Sequence, residues 1–195
     1  MILGIVTARL GSTRLPAKAI LPMGNSTMVG HVFDVLNKSC VDRALLCTPD
    51  YFLVQFVSGD SNVWNGNRDV ISELFYAALD CNADHIVRVT ADCPFLTPKI
   101  IDEVVRAHLK AGVDYTYNHN DLLPSETKEG IDVEVITFDA LRTLHTTSSN
   151  REHLCVSEND LISYRVNMEE ERNVFSVNTL EEYVRAYEEI KNDCS

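Results

Sequence analysis

Short runs of consecutive apolar residues alternate along the chain with segments in which apolar residues recur every three or four positions. The runs Ile2–Thr7, 44–48 and His85–Thr90 are nearly unbroken, which is typical of strands buried on both faces of a parallel sheet. The segments between them have the helical period. Because strands and helices alternate, the sequence predicts an α/β fold with a mostly parallel central sheet and flanking helices.

Capping residues mark where two of these helices begin. Asp69 precedes one segment of helical period, and Thr97 is followed by Pro98 at the start of another. Asp and Thr are favourable N-cap residues, and proline is favoured in the first turn of a helix. A last helix is predicted near the carboxyl end, with a buried stripe of five residues: Leu180, Tyr183, Val184, Tyr187 and Ile190.

The remaining segments are shorter and less regular. Alternation of apolar and polar residues on a strand would place Asp132 and Glu134 on the same face. Long polar loops in compact domains are often functional. We predict strands at residues 113–117, 131–138, 162–166 and 174–177, and polar loops at residues 58–68 and 118–130.

The length and the cysteine pattern favour a single intracellular domain. We expect residues 1–195 to form one domain. The first apolar run has no basic region before it and meets Arg9 almost at once, unlike a signal peptide or a membrane-spanning helix. Six cysteines lie singly, without a Cys-x-x-Cys pair. This pattern favours reduced thiols and a cytoplasmic protein, and it argues against a structural zinc site.

The charge balance limits the partners of the chain. Its 17 Lys and Arg residues against 29 Asp and Glu give a formal net charge of −12. Such a chain repels the phosphate backbone of nucleic acids at long range, so we expect no nucleic-acid partner. An anionic substrate must therefore be bound by a local cluster of basic groups.

The segment after the first predicted strand supplies such a cluster. It contains Arg9, Arg14 and Lys18, and Gly11 would allow a ligand to approach the backbone closely. Ser12 adds hydroxyl and amide donors. Arg14 and Lys18 are able to neutralise a polyphosphate, although the segment lacks the Walker A spacing. The alternative is a solvated basic turn.

Other polar residues follow the second and third predicted strands, namely Thr48, Asp50 and Asp92. Ligands of open α/β sheets bind in the crevice at the carboxyl ends of the strands. We therefore expect the basic segment and these residues to converge on one site.

Six ordered motifs give the chain a family resemblance. The sequence resembles cytidylyltransferases, in particular the spore-coat polysaccharide cytidylyltransferase family, and more distantly the synthetases that make CMP-3-deoxy-manno-octulosonate and CMP-sialic acid. The resemblance covers nearly the whole chain. The motifs are Ala8-Arg9-Leu10-Gly11-Ser12-Thr13-Arg14-Leu15-Pro16-Ala17-Lys18, Gly66-Asn67-Arg68-Asp69-Val70-Ile71, Val87-Arg88-Val89-Thr90-Ala91-Asp92-Cys93-Pro94, Gly130-Ile131-Asp132-Val133-Glu134-Val135, Arg151-Glu152-His153 and Ser176-Val177-Asn178-Thr179-Leu180-Glu181-Glu182.

This resemblance implies a Rossmann-like nucleotide-diphospho-sugar transferase fold and a reaction. CMP would pass from CTP to a sugar acid, a sugar phosphate or a similar small acceptor, with release of pyrophosphate, for the synthesis of surface polysaccharide precursors. Catalytic roles would fall to Arg14, Lys18 and Asp92, with Mg²⁺ as the cofactor held by Asp92 and Asn178. The nucleotide would be bound by Ala8, Arg9, Gly11, Ser12, Thr48 and Asp50. The related synthetases commonly form homodimers, so a homodimer is expected here as well.

The acceptor is the part of the reaction that the residues define least. The resemblance assigns acceptor binding to Asp132, Glu134, Arg151 and His153. Ordinary structural roles remain open alternatives: same-face carboxylates on a strand often face solvent, and an Arg-Glu pair often lies on a helix surface.

Departures from the family pattern leave other functions open. Asn178 stands where the family usually has Asp, which brings an amide oxygen without charge to the expected metal site. Asn178 also remains a good N-cap for the last helix. Ala17 and Ala91 stand where the family has glycine. The alternatives are therefore a catalytically weak nucleotide-binding or regulatory protein on the same fold, and a cytidylyltransferase for a non-sugar phosphorylated acceptor.

Overall fold

The fold is taken from a computed structural model, which describes residues 1–63, 69–118, 130–154, 160–168 and 174–193. Short 3-10 helices lie at Lys18–Ile20 and Tyr51–Phe56. The α-helices are α1 (Met28–Asn37), α2 (Val70–Asp80), α3 (Pro98–Ala111), α4 (Phe138–Thr147) and α5 (Leu180–Asp193). The strands are β1 (Ile2–Thr7), β2 (Pro22–Met23), β3 (Ser26–Thr27), β4 (Arg43–Thr48), β5 (Asp60–Val63), β6 (His85–Thr90), β7 (Tyr115–Tyr117), β8 (Glu134–Thr137) and β9 (Ser163–Arg165).

Seven of the strands in the described part of the chain form one sheet, in the order β5-β4-β1-β6-β8-β7-β9. Strand β8 runs antiparallel to its neighbours β6 and β7, whereas the other pairs are parallel. The prediction of a mostly parallel sheet with flanking helices is confirmed. Strand β1 lies near the centre, so the loop that follows it emerges in the middle of the sheet edge.

Helices cover both faces of the sheet and create two apolar cores. One core joins α1, α3 and α5 to the sheet, and the other joins α2 and α4 to the opposite face. Strand β1 contributes to both cores, because Val6 faces the first while Leu3 and Ile5 face the second. Burial on both faces explains why the central strands have nearly unbroken apolar runs.

The predicted helix starts at Asp69 and Thr97 are confirmed. The carboxylate of Asp69 accepts a hydrogen bond from the backbone N–H of Ser72 at 2.8 Å. The hydroxyl of Thr97 accepts one from the N–H of Ile100 at 3.3 Å, and Pro98 is the first residue of α3. Each side chain satisfies a donor that the first turn of a helix leaves without an intrahelical partner.

Three of the predicted elements differ from the structure. Residues 60–63 were expected in a loop, but they form β5, which pairs in parallel with the exposed edge of β4. Residues 174–177 do not form a strand. The strand predicted at 131–138 begins only at Glu134, and α4 begins at Phe138 because the hydroxyl of Thr137 caps it.

The buried face of α5 also differs from the prediction. Leu180 and Val184 are exposed, by 64% and 47%, whereas Ala186 and Ile190 are buried. Tyr183, Ala186 and Ile190 also follow helical spacing, so the sequence carried two overlapping stripes. Packing against the first core selects the stripe that includes the small Ala186.

Backbone contact holds the segment before α5 against the segment that leads into β8. Gly130 has a φ of 108°, and a Cβ atom at this position would overlap the backbone of Phe175. The N–H of Val177 donates to the carbonyl of Asp92 at 2.8 Å. The segment therefore crosses the end of β6 instead of joining the sheet, and it carries Asn178 to that place.

Two further observations concern the redox state and the membrane. Cys40, Cys47, Cys81 and Cys93 are free thiols, while Cys155 and Cys194 lie outside the described residues. Within the described ranges, no helix is long and apolar enough to cross a membrane.

Two histidines in contact, one buried and one half-buried, make the stability of the fold depend on pH. His108 on α3 is 1% exposed, and its ring nitrogens lie 3.1 Å from His85 Nδ1 and 3.0 Å from Thr116 Oγ1. Burial lowers the pKa of His108 to about 4 and lowers the pKa of His85 as well. Both rings are therefore neutral in the folded protein at pH 7.

We predict that the free energy of unfolding decreases as the pH falls from about 6.5 towards 4. The unfolded chain, in which a histidine titrates near 6.5, takes up protons in this window that the folded protein does not. In urea titrations at several pH values, His108→Gln should flatten the pH dependence by up to about 1.4 kcal/mol per pH unit. An unchanged slope in this variant would contradict the prediction.

Candidate active site

A cavity of about 630 Å³ opens at the carboxyl ends of β1, β4 and β6. Thr7 ends β1, Pro49 follows β4, and Thr90 ends β6. The basic segment and Asp92, which were expected to converge at this edge of the sheet, both line the cavity. The lining includes nine of the predicted site residues: Ala8, Arg9, Gly11, Ser12, Arg14, Lys18, Asp92, His153 and Asn178. The predicted residues Thr48, Asp50, Asp132, Glu134 and Arg151 are absent from this lining.

Asp50 binds the loop after β1 from outside the cavity. Its carboxylate accepts a hydrogen bond from the N–H of Leu10 at 2.7 Å. The hydroxyl of Thr48, which is fully buried, accepts one from the N–H of Asp50 at 3.0 Å. The loop closes on itself where the N–H of Ala17 donates to the carbonyl of Leu10 at 3.1 Å. Thr48 and Asp50 thus shape the loop from outside the cavity.

Gly11 leaves open space at the cavity wall. A Cβ atom built on Gly11 would meet nothing within 4 Å, and its φ is not in the left-handed region. Neither the backbone conformation nor protein packing therefore requires glycine here. The space beside Gly11 is available to a ligand that approaches the backbone.

The ammonium group of Lys18 is hydrogen-bonded to three oxygen atoms. Its Nζ donates to Asp92 Oδ2 at 2.6 Å, to the carbonyl oxygen of Val177 at 2.9 Å and to Asn178 Oδ1 at 3.0 Å. The side chains of Lys18 and Asp92 are 16% and 25% exposed, so water screens the pair only partly. One ammonium group therefore joins the loop after β1, the end of β6 and the segment before α5.

Asn178 accepts hydrogen bonds from two of the three cations of the loop, but it does not cap α5. Its Oδ1 accepts hydrogen bonds from Arg14 Nη2 at 2.9 Å and from Lys18 Nζ. Thr179 and Glu182 form the capping box instead: Glu182 Oε2 accepts the N–H groups of Asn178 and Thr179, each at 2.8 Å, and Thr179 Oγ1 accepts the N–H of Glu182. The side chain of Asn178 is thereby directed to the cavity.

Arg88 is a cavity residue to which the sequence alone assigned no role. It lies on β6, two residues before Thr90, on the same side of the strand. Its Nη1 donates to Glu134 Oε2 at 2.6 Å, and Tyr115 donates its hydroxyl to Glu134 Oε1 at 2.6 Å. The sequence did contain a signal for Arg88: on a strand, residues 88 and 90 point to the same side, and Thr90 ends the strand at the site. Glu134 is a buried partner of Arg88 on the neighbouring strand, away from the lining.

Arg151 connects two helices and is not part of the cavity wall. Its Nε lies 3.1 Å from Asp69 Oδ2, and its Nη2 donates to Ser72 Oγ at 2.9 Å. Its Nη1 donates to the carbonyl oxygens of Leu144 and His145. Burial raises the pKa of Asp69, but hydrogen bonds from Ser72 and Arg151 outweigh it and place the pKa below the usual value. The donors of Arg151 are used to join the start of α2 to the end of α4.

Of the other two acceptor candidates, His153 lines the cavity and Asp132 does not. His153 and Glu152 are exposed at the cavity wall, and Glu152 Oε2 lies 3.5 Å from Arg9 Nη1. Asp132 is outside the cavity lining, with its Oδ2 at 4.0 Å from the thiol of Cys93. Residues 66–68 of the predicted motif lie outside the described residues.

The family of the chain follows from comparison with known proteins. A family model described as Cytidylyltransferase matches residues 3–191. The chain belongs to this family. The matched region runs from within β1 to within α5 and includes all residues of the cavity.

Relatives and solved structures agree with this assignment. The spore coat polysaccharide biosynthesis protein SpsF of Bacillus subtilis is 30% identical over 127 residues, which are 60% of this chain and 53% of that protein. This chain spans little more than half the length of the curated relatives that it matches first.

Two solved structures are similar over almost the whole chain. A cytidylyltransferase from Leptospira borgpetersenii serovar Hardjo-bovis has a TM-score of 0.79 at 26% identity, covering 93% of this chain and 83% of that one. The synthetase of CMP-2-keto-3-deoxy-manno-octonic acid, in complex with CTP, has a TM-score of 0.74 at 14% identity, covering 98% and 99%. The second similarity shows the fold alone, and it confirms the predicted Rossmann-like nucleotidyltransferase architecture.

Ala17 holds a left-handed backbone conformation at the end of the loop, with φ 57° and ψ 25°. We predict that Ala17→Gly raises the free energy of unfolding by about 0.5–1 kcal/mol, because a left-handed alanine costs about 1–2 kcal/mol and the greater freedom of glycine in the unfolded chain offsets part of the gain. Urea titration measures the change.

The matched control is Gly112→Ala at the end of α3. Gly112 has φ 62° and open space around its Cβ position, so this variant introduces the same strain and should lose a similar amount of stability. A destabilised Ala17→Gly variant would mean that the methyl group of Ala17 has a packing role.

Proposed function

We propose that this protein transfers CMP from CTP to a small acceptor and releases pyrophosphate. The observation that carries the proposal is the convergence of Arg14, Lys18, Asp92 and Asn178 in one cavity at the carboxyl ends of the central strands. Anions are concentrated in such a cavity only by local cations, because the chain as a whole carries a net charge of −12. Family membership supports CTP as the nucleotide.

The proposed roles follow from charge and position. In the reaction an oxygen of the acceptor bonds to the α-phosphorus of CTP as the bond to pyrophosphate breaks. Arg14 and Lys18 would neutralise charge that develops on the phosphate oxygens, which is the main contribution of a protein to phosphoryl-group chemistry. Ala8, Arg9, Gly11 and Ser12 would bind the nucleotide along the loop, where Gly11 leaves open space.

The donor atoms near Asp92 suit a hard cation such as Mg²⁺. Within the described ranges, no group of three or more His, Cys, Asp and Glu side chains is arranged to hold a metal. Instead, one carboxylate and one amide oxygen, from Asp92 and Asn178, surround an ammonium group. Oxygen ligands with few charges fit Mg²⁺, which usually keeps several waters and binds substrate phosphates. When bound, the ion would supply charge neutralisation at the phosphates.

The acceptor is proposed to be a sugar acid, a sugar phosphate or a similar small molecule. The name of the Bacillus relative connects it to the biosynthesis of spore coat polysaccharide, which supports a role in making a surface polysaccharide precursor. His153 and Glu152 would contact the acceptor from the cavity wall. A cytoplasmic location and a homodimer belong to the same proposal.

Asn178 favours a second candidate, a catalytically weak nucleotide-binding protein. Its amide oxygen is already shared by Arg14 and Lys18. A neutral ligand attracts a divalent metal less than a carboxylate would, so binding of CTP could persist while turnover is low.

We predict that CTP binds to the wild-type protein with Mg²⁺ and that Lys18→Gln weakens binding at least tenfold, because a charge-assisted contact with phosphate contributes about 1.5–3 kcal/mol. Calorimetry with CTP, UTP, GTP and ATP measures affinity and selectivity, and release of pyrophosphate measures turnover. Lys110→Gln on α3 is the matched control and should bind as the wild type does. Absence of nucleotide binding in the wild type would contradict the proposal.

We also predict that Asn178→Asp raises the affinity for Mn²⁺ about tenfold in the absence of nucleotide. The variant adds a carboxylate beside Asp92, and this charge attracts a divalent ion, although Lys18 must leave the three oxygens in both proteins before a metal can bind them. Electron paramagnetic resonance of free Mn²⁺ measures the affinity without any turnover. Unchanged Mn²⁺ binding would exclude position 178 from the metal site, and a large gain in pyrophosphate release would favour the second candidate function.

A further inference from the structure

Arg88 provides a second cationic position in the cavity, separate from the loop. It is 7% exposed and lies on β6, in the middle of the sheet between β1 and β8. Its Cα precedes that of Thr90 by two residues, about 7 Å along a strand. Arg14 and Lys18 lie beyond Thr90, around Asp92 and Asn178. Arg88 therefore adds a cation to the cavity from the sheet itself, next to Glu152 of the cavity wall.

The donors of the Arg88 guanidinium are used unequally. Nη1 donates to Glu134 at 2.6 Å, whereas Nη2 reaches the carbonyl oxygen of Glu152 only at 3.5 Å. Nε is buried and has no hydrogen-bond partner among the described residues. Nε and Nη2 form the side edge of a guanidinium, which binds the two oxygens of a carboxylate or phosphate in parallel. The two donors of Arg88 that are best arranged to bind an anion are therefore the two that make weak or no hydrogen bonds within the described protein.

Glu134 and Tyr115 fix this orientation. Because Glu134 accepts from Tyr115 and from Arg88 Nη1 within the sheet, the ion pair holds the guanidinium by the end that is not needed for a ligand. A buried donor without a partner destabilises the protein, and a bound oxygen atom would remove that cost. The weak contact with Glu152 involves a segment at the cavity wall, so a ligand oxygen is able to replace that carbonyl.

We propose that Arg88 is the residue that selects an acidic acceptor, by binding a carboxylate or phosphate group of that acceptor through Nε and Nη2. Glu134 is a positioning residue, which acts through Arg88. The proposal rests on the proposed function, since the loop cations are assigned to CTP. The acceptor is thereby defined as a small molecule with a hydroxyl group that attacks the α-phosphorus and an anionic group that Arg88 binds.

The test compares anionic probes with their uncharged counterparts. The probes are 3-deoxy-manno-octulosonate against its methyl ester, and glucose 1-phosphate against glucose. Dissociation constants are measured by calorimetry without metal, with and without CTP. We expect the wild type to bind one anion at least tenfold more tightly than its counterpart. Preference for the first pair would assign a carboxylate, and preference for the second a phosphate.

The decisive variant is Arg88→Lys, which keeps the charge opposite Glu134 but loses the two-donor edge. We expect its preference for the anion to fall to twofold or less, while its affinity for CTP changes less than threefold. Arg43→Lys on β4, where the side chain is exposed and pairs with Asp60, is the control and should leave both values unchanged. Glu134→Gln keeps the guanidinium without the ion pair and should reduce the preference in part, which provides a second test if Arg88→Lys does not fold.

Three results would overturn the proposal. The first is a wild type that binds neither anion more tightly than its uncharged counterpart. The second is an Arg88→Lys variant that keeps the full preference for the anion. The third is an Arg88→Lys variant that loses affinity for CTP as strongly as for the anion. Failure of the proposed function gives a different result, because the wild type would then fail to bind CTP whether or not it prefers the anion.

Discussion

The cavity depends on one ammonium group, to which two separate segments of the chain supply three oxygen atoms. Lys18 brings the loop after β1, and the carboxylate of Asp92 and the oxygens of Val177 and Asn178 meet it at 2.6–3.0 Å. Charge-assisted hydrogen bonds of this kind are strong when water is partly excluded. The same contacts decide where Arg14 lies, because it shares the amide oxygen of Asn178. Without the ammonium, the side-chain oxygens of Asp92 and Asn178 would lose a shared donor, and the Asp92 carboxylate would lose its opposite charge.

A second, more deeply buried ion pair belongs to the sheet itself. Arg88 and Glu134 lie on adjacent antiparallel strands and face each other in register. Removing either partner would leave a buried charge, which is why such pairs constrain a fold more than they stabilise it. The cavity is therefore bordered by two kinds of cation: Arg14 and Lys18, carried by a loop, and Arg88, carried by a rigid strand. This division suits a reaction between two anionic molecules.

Residue type alone could not distinguish a cavity residue from a structural one. Arg151 and Arg14 are both arginines within family motifs. Arg151 binds Asp69, Ser72 and two helix carbonyls, whereas only Arg14 lines the cavity. Their partners are distant in sequence, so no local pattern contained the difference. Residue type was also misleading at Asn178. Asparagine is a good N-cap residue, but Thr179 and Glu182 cap α5 in its place.

The sequence by itself determined what depends on neighbouring residues. Apolar runs defined β1, β4 and β6, the caps at Asp69 and Thr97 defined helix starts, and strand order placed Arg14, Lys18 and Asp92 at one edge. Only the tertiary structure decided which face of α5 is buried, that residues 60–63 extend the sheet, and that Arg88 and Glu134 form a pair. These features depend on contacts between elements far apart in the chain, and the free energy of such contacts is not encoded in local periodicity.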